Sequence, residues 1–231
     1  MIRFSIEDEE GMEGWPYDAV VPVVFVKSAE GIECECTFGA YPILRAFLAE
    51  YGASPFSKEA LTELDRRLKP YLDGIGCRRE GGILRYYRSF VLWDKAGLNE
   101  ALILPSSVRL TSASAGKVKV NRTDFDLAEL LAKKLPTYIT TVGNELVSLA
   151  SVNEASEGQR LLELTVYTRP AFRGSGYASS NAAALTKYLL EHGKGAVYVT
   201  SCRNRASLRL VRRLGFRSES RFYAVDAYRD D

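Results

Sequence analysis

Two glycines flank a serine in RPAFRGSGYASS, Arg169 to Ser180, directly after an arginine and where a β-rich run gives way to a helical one. A helix N-terminus leaves backbone N–H groups unpaired and carries roughly half a positive charge, so it attracts anions. A phosphate reaches those groups only if side chains stand aside and the turn accepts positive φ, conditions that glycine meets. Gly174, Ser175 and Gly176, followed by Tyr177 and the small Ala178, therefore suit a diphosphate held by backbone amides, with Arg173 as an added cation. The same glycines would equally serve a tight strand-to-helix turn that holds nothing. A Walker-type loop is excluded because no Gly-Lys-Ser/Thr follows. A dinucleotide fingerprint fits poorly, since Ser179 stands at the offset of its third small residue and no acid closes the next strand, AVYVTS.

The elements that would position this corner can be read on both sides of it. Three strand-like runs precede it, TYITTVG, LVSLASV and RLLELTVYT, joined by the turn residues GNE and NEASEGQ as an antiparallel meander. After it come a helix closed by Gly193, the strand AVYVTS, the amphipathic helix RASLRLVRRLGF and a last strand, RFYAVDAYR. Upstream, DFDLAELLAKKL reads as a helix with Asp124 at its start and lysines at its end, both suited to the helix dipole. Further back, strands are expected at Ala19–Lys27 and Ile32–Phe38. Helices follow at YPILRAFLAEYG and at SKEALTELDRRLKPYLDG, the latter opened by Ser57 and bent or stopped near Pro70. Strands GGILRYYRSFVLWD and LNEALILP complete this half, and the polar stretch SSVRLTSASAGKVKVNR marks a boundary.

RPAFRGSGYA resembles the acyl-CoA motif of the GNAT superfamily of N-acetyltransferases, Q/R-x-x-G-x-G/A, with Arg173, Gly176 and Ala178 at its defining positions. NRASLRLVRRLGF is similar to that superfamily's next segment through Asn204, Ser207 and Leu214-Gly215-Phe216; together the two resemble a bacterial subgroup, from Leu110 onward. The resemblance implies a GNAT-like mixed, mostly antiparallel sheet with flanking helices over 109–231, behind an α/β region over 1–108 that would shape the acceptor site. It implies acetyl-CoA as acyl donor, without a metal, and a primary amine of a small molecule or protein as acceptor. Amides from Arg173 to Ala178 would hold the diphosphate, the edge Val166–Thr168 would pair with the pantetheine arm, and Asn204 and Ser207 would lie beside it. The strands Leu161–Thr168 and Ala196–Ser201 would splay apart to admit the thioester. The amine's proton needs a base. Glu163 is the first candidate and Tyr167 the second, each equally readable as an ordinary strand residue. Val211 stands where many members place a tyrosine acid, which leaves Tyr223 or Tyr228 for that role, or an unaided thiolate.

Bulk properties agree with a globular protein: 231 residues, 46% hydrophobic, 26% charged, net charge +2. The N-terminus is acidic and AVVPVVFV is too short to span a bilayer, so no membrane partner is expected and the cytoplasm is the expected compartment. Four cysteines and one histidine without a C-x-x-C pair give no metal-site pattern, so reduced thiols are expected. His192 in EHGKG reads as a helix C-terminal residue. The arginines Arg203, Arg205, Arg209, Arg212, Arg213, Arg217 and Arg221 read as a solvated face rather than a nucleic-acid surface, because no aromatics interleave with them. Trp15, Trp93 and Tyr86-Tyr87 would pack the N-terminal core or line an acceptor pocket. Two other classes remain: a regulatory protein that binds CoA without transfer, and a nucleic-acid protein acting through those arginines. A monomer or a homodimer is expected.

Overall fold

The computed structural model describes residues 2–8, 13–14, 19–27, 31–78, 85–119, 127–153 and 158–229. Its contacts group the chain into two compact units, Met1–Tyr87 with Ser220–Asp231, and Arg88–Glu219. These units divide within two strands.

The first unit carries β1 (Ile2–Glu7), β2 (Glu13–Gly14), β3 (Ala19–Lys27), β4 (Ile32–Thr37), helices α1 (Tyr41–Tyr51) and α2 (Lys58–Gly74), and β5 (Cys77–Arg78). Its core gathers Val23, Phe25, Leu44, Phe47, Leu64, Leu68 and Leu72. Ser57 caps α2 as expected, its Oγ accepting the Ala60 N–H at 3.1 Å. The helix does not stop at Pro70 but runs on to Gly74. Pro70 removes one backbone donor, yet Leu64, Leu68 and Leu72 share a buried stripe at helical spacing that continues across it. β1 pairs in parallel with β4, Ile2 opposite Ile32. It was not expected, although Ile2, Phe4 and Ile6 alternate with Arg3, Ser5 and Glu7; the run is short, and its side chains are mostly exposed.

β6 (Arg85–Leu92) leads into the second unit. There follow two 3-10 turns (Lys95–Gly97, Glu100–Leu102), β7 (Val108–Arg109), α3 (Ser112–Ala115), α4 (Leu127–Ala132), β8 (Thr137–Val142), β9 (Glu145–Val152) and β10 (Leu161–Thr168). Then come α5 (Tyr177–Glu191), β11 (Gly195–Ser201), α6 (Arg205–Leu214) and β12 (Arg217–Arg229), the last of which returns to the first unit, where it pairs with β3. The architecture is mixed α/β, with a mostly antiparallel sheet and flanking helices. In this unit β7–β8, β8–β9 and β9–β10 pair antiparallel, and β10–β11 pairs parallel. The expected meander is present. The run LNEALILP is not a strand: Glu100–Leu102 turn as a 3-10 helix, and Asn99 is drawn to the end of α6, its N–H on Leu214 O at 3.1 Å and its Nδ2 on Arg213 O at 3.2 Å. Residues 120–126, including Asp124, lie outside the described part, as does Trp15.

Alanines fix how closely α5 approaches the sheet. Ala182 and Ala183 are buried with Leu185 and Leu189 against Ala150, Val152, Leu162 and Leu164. Polar pins hold its register. Ser180 Oγ accepts the Leu104 N–H at 2.7 Å, and Asn181 Oδ1 accepts from Ser107 Oγ at 2.6 Å and Thr140 Oγ1 at 3.0 Å. Buried hydrogen bonds of this kind admit few alternative positions, so the N-terminus of α5 has a fixed place above β8–β10.

Candidate functional site

Gly174 and Gly176 have φ of +87° and +85°, and a Cβ added to either would meet nothing within 4 Å. These glycines are therefore demanded by backbone conformation and not by crowding. Gly176 is the N-cap of α5 and supplies no side chain to close the helix end. The first intrahelical bond reaches back only from the Ser180 N–H to Gly176 O, at 2.9 Å. Among the described residues, no group accepts from the amides of Gly174, Ser175, Gly176, Tyr177, Ala178 or Ser179. The Arg173 amide is already given to Pro170 O at 3.2 Å. Arg173, Gly174 and Ser175 are exposed, so the open amides border solvent. Arg173 Nε lies 3.3 Å from Thr168 O, which sets its guanidinium beside the end of β10.

β10 pairs with β11 only through Leu161–Gly195, Leu162–Ala196 and Glu163–Val197, so the two strands part beyond Glu163. On its other side β10 stays paired with β9 from Leu164 to Thr168. The Asn153 N–H reaches Glu163 O at 2.9 Å and the Arg169 N–H reaches Val147 O at 2.9 Å, which directs the backbone of odd-numbered residues toward β9. Backbone groups alternate sides along a strand. The amides of Val166 and Thr168 therefore face the edge that β11 has left open. Both sequence expectations for these residues concerned this edge, and it leads directly into the glycine corner.

Glu163 sits at the last pair before the strands part. Alternation puts its side chain on the sheet face opposite Leu162 and Leu164, together with Thr165 and Tyr167. Burial pushes its carboxyl up to about 7, against a smaller downward effect of a hydrogen bond from the Asn153 side chain. Asn153 in turn accepts a hydrogen bond from Thr165 Oγ1. Tyr198 of β11 is buried, donates to Ser207 Oγ at 3.3 Å, and has its hydroxyl pKa raised by burial, with the nearby Glu163 as a lesser cause. Asn153, Thr165 and Tyr198 were not singled out in the sequence. Asn153 there looked like the first residue of a turn, and Tyr198 like an ordinary residue of a β-branched strand.

Asn204 caps α6, its Oδ1 accepting the Ser207 N–H at 3.1 Å, which leaves Nδ2 as its remaining donor. Val211 is fully buried in the core beside Leu214 and Phe216. Gly215 follows α6 with φ +96°, and a Cβ there would stand 1.8 Å from Gly97 O, so the Leu-Gly-Phe glycine is needed for close approach as well as for conformation. Tyr223 belongs to the first unit, where its ring stacks on Phe56 at 4.6 Å and on Tyr86 at 4.7 Å. The side chain of Tyr228 lies outside the described part. Trp93 does not join that unit's core: it is half exposed and lies against Gly195 in the second unit. His192 is the C-cap of α5. Arg203, Arg205, Arg209, Arg212, Arg213 and Arg217 are exposed. The four cysteines are free thiols, and no three metal-ligating side chains gather among the described residues. Among those residues no helix is long and apolar enough to cross a membrane.

Residues 142–225, which contain the glycine corner, the parting strands and α6, match the family of FR47-like proteins. A GNAT-family protein from Novosphingobium aromaticivorans shares the fold with a TM-score of 0.50 at 16% identity, over 68% of this chain and 69% of its own. A GCN5-related N-acetyltransferase-like protein from Streptococcus suis does so with a TM-score of 0.51 at 18% identity, over 71% and 69%. At these identities the likeness is one of fold. No curated protein matches the chain.

Proposed function

We propose that the chain is a GNAT-type acetyltransferase, a reading supported by its FR47-like segment over residues 142–225, and that it moves an acetyl group from acetyl-CoA to a primary amine of a small molecule or protein, directly, within a ternary complex. The run of unaccepted amides from Gly174 to Ser179 beside the open edge of β10 is the observation that carries this reading. Those amides and the dipole of α5 would hold the coenzyme's diphosphate, with the exposed Arg173 as a flanking cation. The open edge at Val166 and Thr168 would pair with the pantetheine amides as one more strand, and one of the two N–H groups would donate to the thioester oxygen as it gains charge. Asn204 and Ser207 serve the start of α6 itself, Asn204 Oδ1 accepting the Ser207 N–H at 3.1 Å.

A lysine-like amine has a pKa near ~10.4 and is mostly protonated at neutral pH, so its proton must go to a base before attack. Glu163 suits that work, since a carboxyl at about 7 is both ionised and basic near neutrality. Tyr167, on the same face of β10, is the second candidate. The base acts in its ionised form, so kcat/KM should climb as pH rises through about 7 and level off above it. No acid is available from the buried Val211, and a thiol of pKa near ~8.5 leaves as thiolate without one. Val211 also favours a second reading, in which the chain binds CoA and transfers nothing.

Thiol release from acetyl-CoA, measured with a panel of primary amines, separates the readings. Transfer predicts turnover that Glu163→Gln lowers by on the order of a hundredfold or more, with coenzyme A affinity retained. Tight coenzyme A binding without turnover on any amine would select the second reading. No binding of coenzyme A would overturn both.

A further inference from the structure

β9 and β10 bring a small polar group together at the point where β10 and β11 part. Asn153 lies directly across from Glu163, their backbones joined by the Asn153 N–H to Glu163 O bond of 2.9 Å. Thr165, two residues further on the same face, is the diagonal neighbour of Asn153, since its partner in register is Ser151. Directly opposed and diagonal side chains on one face of an antiparallel pair are within reach of each other. The Thr165 hydroxyl donates to Asn153 Oδ1, and the Asn153 side chain, at the strand position facing Glu163, holds that carboxyl below where burial alone would put it. A carboxamide has one accepting and one donating end. With its oxygen engaged by Thr165, its NH₂ end is the one turned to Glu163.

We propose that Asn153, oriented by the Thr165 hydroxyl, is a positioning residue that fixes the direction of the Glu163 carboxylate at the vertex of the parted strands. This rests on the reading of Glu163 as the base. A base that must meet an amine proton gains from having one conformation, because reach and angle govern proton transfer more than charge does. The single donor also holds down a carboxyl that burial alone would push still higher. Among the described residues Tyr198 from β11 is the titratable group found beside it, and its hydroxyl is already occupied by Ser207.

The test combines a titration with kinetics on the full chain. Side-chain ¹³C-glutamate NMR, with Glu163→Gln assigning the resonance, reads the Glu163 midpoint directly and needs no substrate. Asn153→Ala should raise that midpoint by about one pH unit, the loss of one hydrogen bond to a charged group. The isosteric Thr165→Val should raise it in the same direction by less, and Thr165→Ser, which keeps the hydroxyl, should leave it at the wild-type value. In turnover, Asn153→Ala should lower kcat on the order of tenfold, with the KM for acetyl-CoA unchanged and the rising limb of the pH profile moved up alongside the NMR midpoint. A purely structural role would not move that limb. Equal midpoints and equal kcat in wild type, Asn153→Ala and Thr165→Val would overturn the proposal. If the wild type turns over no amine, the reading of Glu163 as base fails. The titration still decides whether Asn153 and Thr165 hold the carboxylate.

Discussion

Helices α5 and α6 lie in the same unit and both start at the end of a strand, yet their first turns are finished differently. At α6 the chain closes its own helix: Asn204 turns its carboxamide oxygen onto the Ser207 N–H at 3.1 Å. At α5 the N-cap is Gly176 with φ +85°, no side chain accepts, and the amides from Gly174 to Ser179 stay open. Glycine in place of a side-chain cap costs a helix only about a few tenths of a kcal/mol, so α5 gives up little stability by leaving its first amides open. The difference is the one expected if the start of α6 is structural and the start of α5 receives the ligand proposed above. It also explains why Asn and Ser near one helix and Gly near the other carry different meanings, although all three are common turn residues.

Three substitutions put pressure on that contrast. Gly176→Val places a β-branched side chain at φ +85°, a conformation such residues almost never adopt. The corner must rearrange, and coenzyme A affinity by calorimetry should fall by on the order of a hundredfold or more, the loss of about two charge-assisted hydrogen bonds. Ser175→Asp makes α5 more like α6 by supplying a carboxylate to the open amides. Coenzyme A affinity should drop about tenfold while thermal unfolding shows a gain of ~0.5 kcal/mol from the helix dipole. Affinity and stability moving together would break the contrast. Asn204→Ala should act in the opposite sense. Denaturant unfolding should show a loss of about 1 kcal/mol that Asn204→Asp largely restores, with coenzyme A affinity changed by less than about threefold.

Much of the second unit was legible in the sequence because its signals are local. The meander is marked by alternating β-branched runs and short polar turns, the corner by Gly174 and Gly176, and the end of α6 by Gly215. What was not legible depended on partners distant in sequence. Pro70 looked like a stop, but the buried stripe Leu64, Leu68, Leu72 carried α2 through it. LNEALILP had strand composition, yet Asn99 is drawn to the carbonyls ending α6. The path of β12 back to β3 places Tyr223 in a ring stack with Phe56 and Tyr86, which nothing near Tyr223 in the sequence foretells. Glu163 was proposed as a base from its place on a strand, and the structure adds its burial where β10 and β11 part. Asn153 was hidden because a turn asparagine looks the same whether it serves the turn or the residue across from it.

The account turns on the open amides, and backbone NMR reads them one by one. In a titration of the ¹⁵N-labelled chain with coenzyme A, the amide signals of Gly174 to Ser179 should shift and saturate together, while those of Arg205 to Ser207 at the start of α6 move far less. Saturable binding that leaves the signals of Gly174 to Ser179 in place would contradict it.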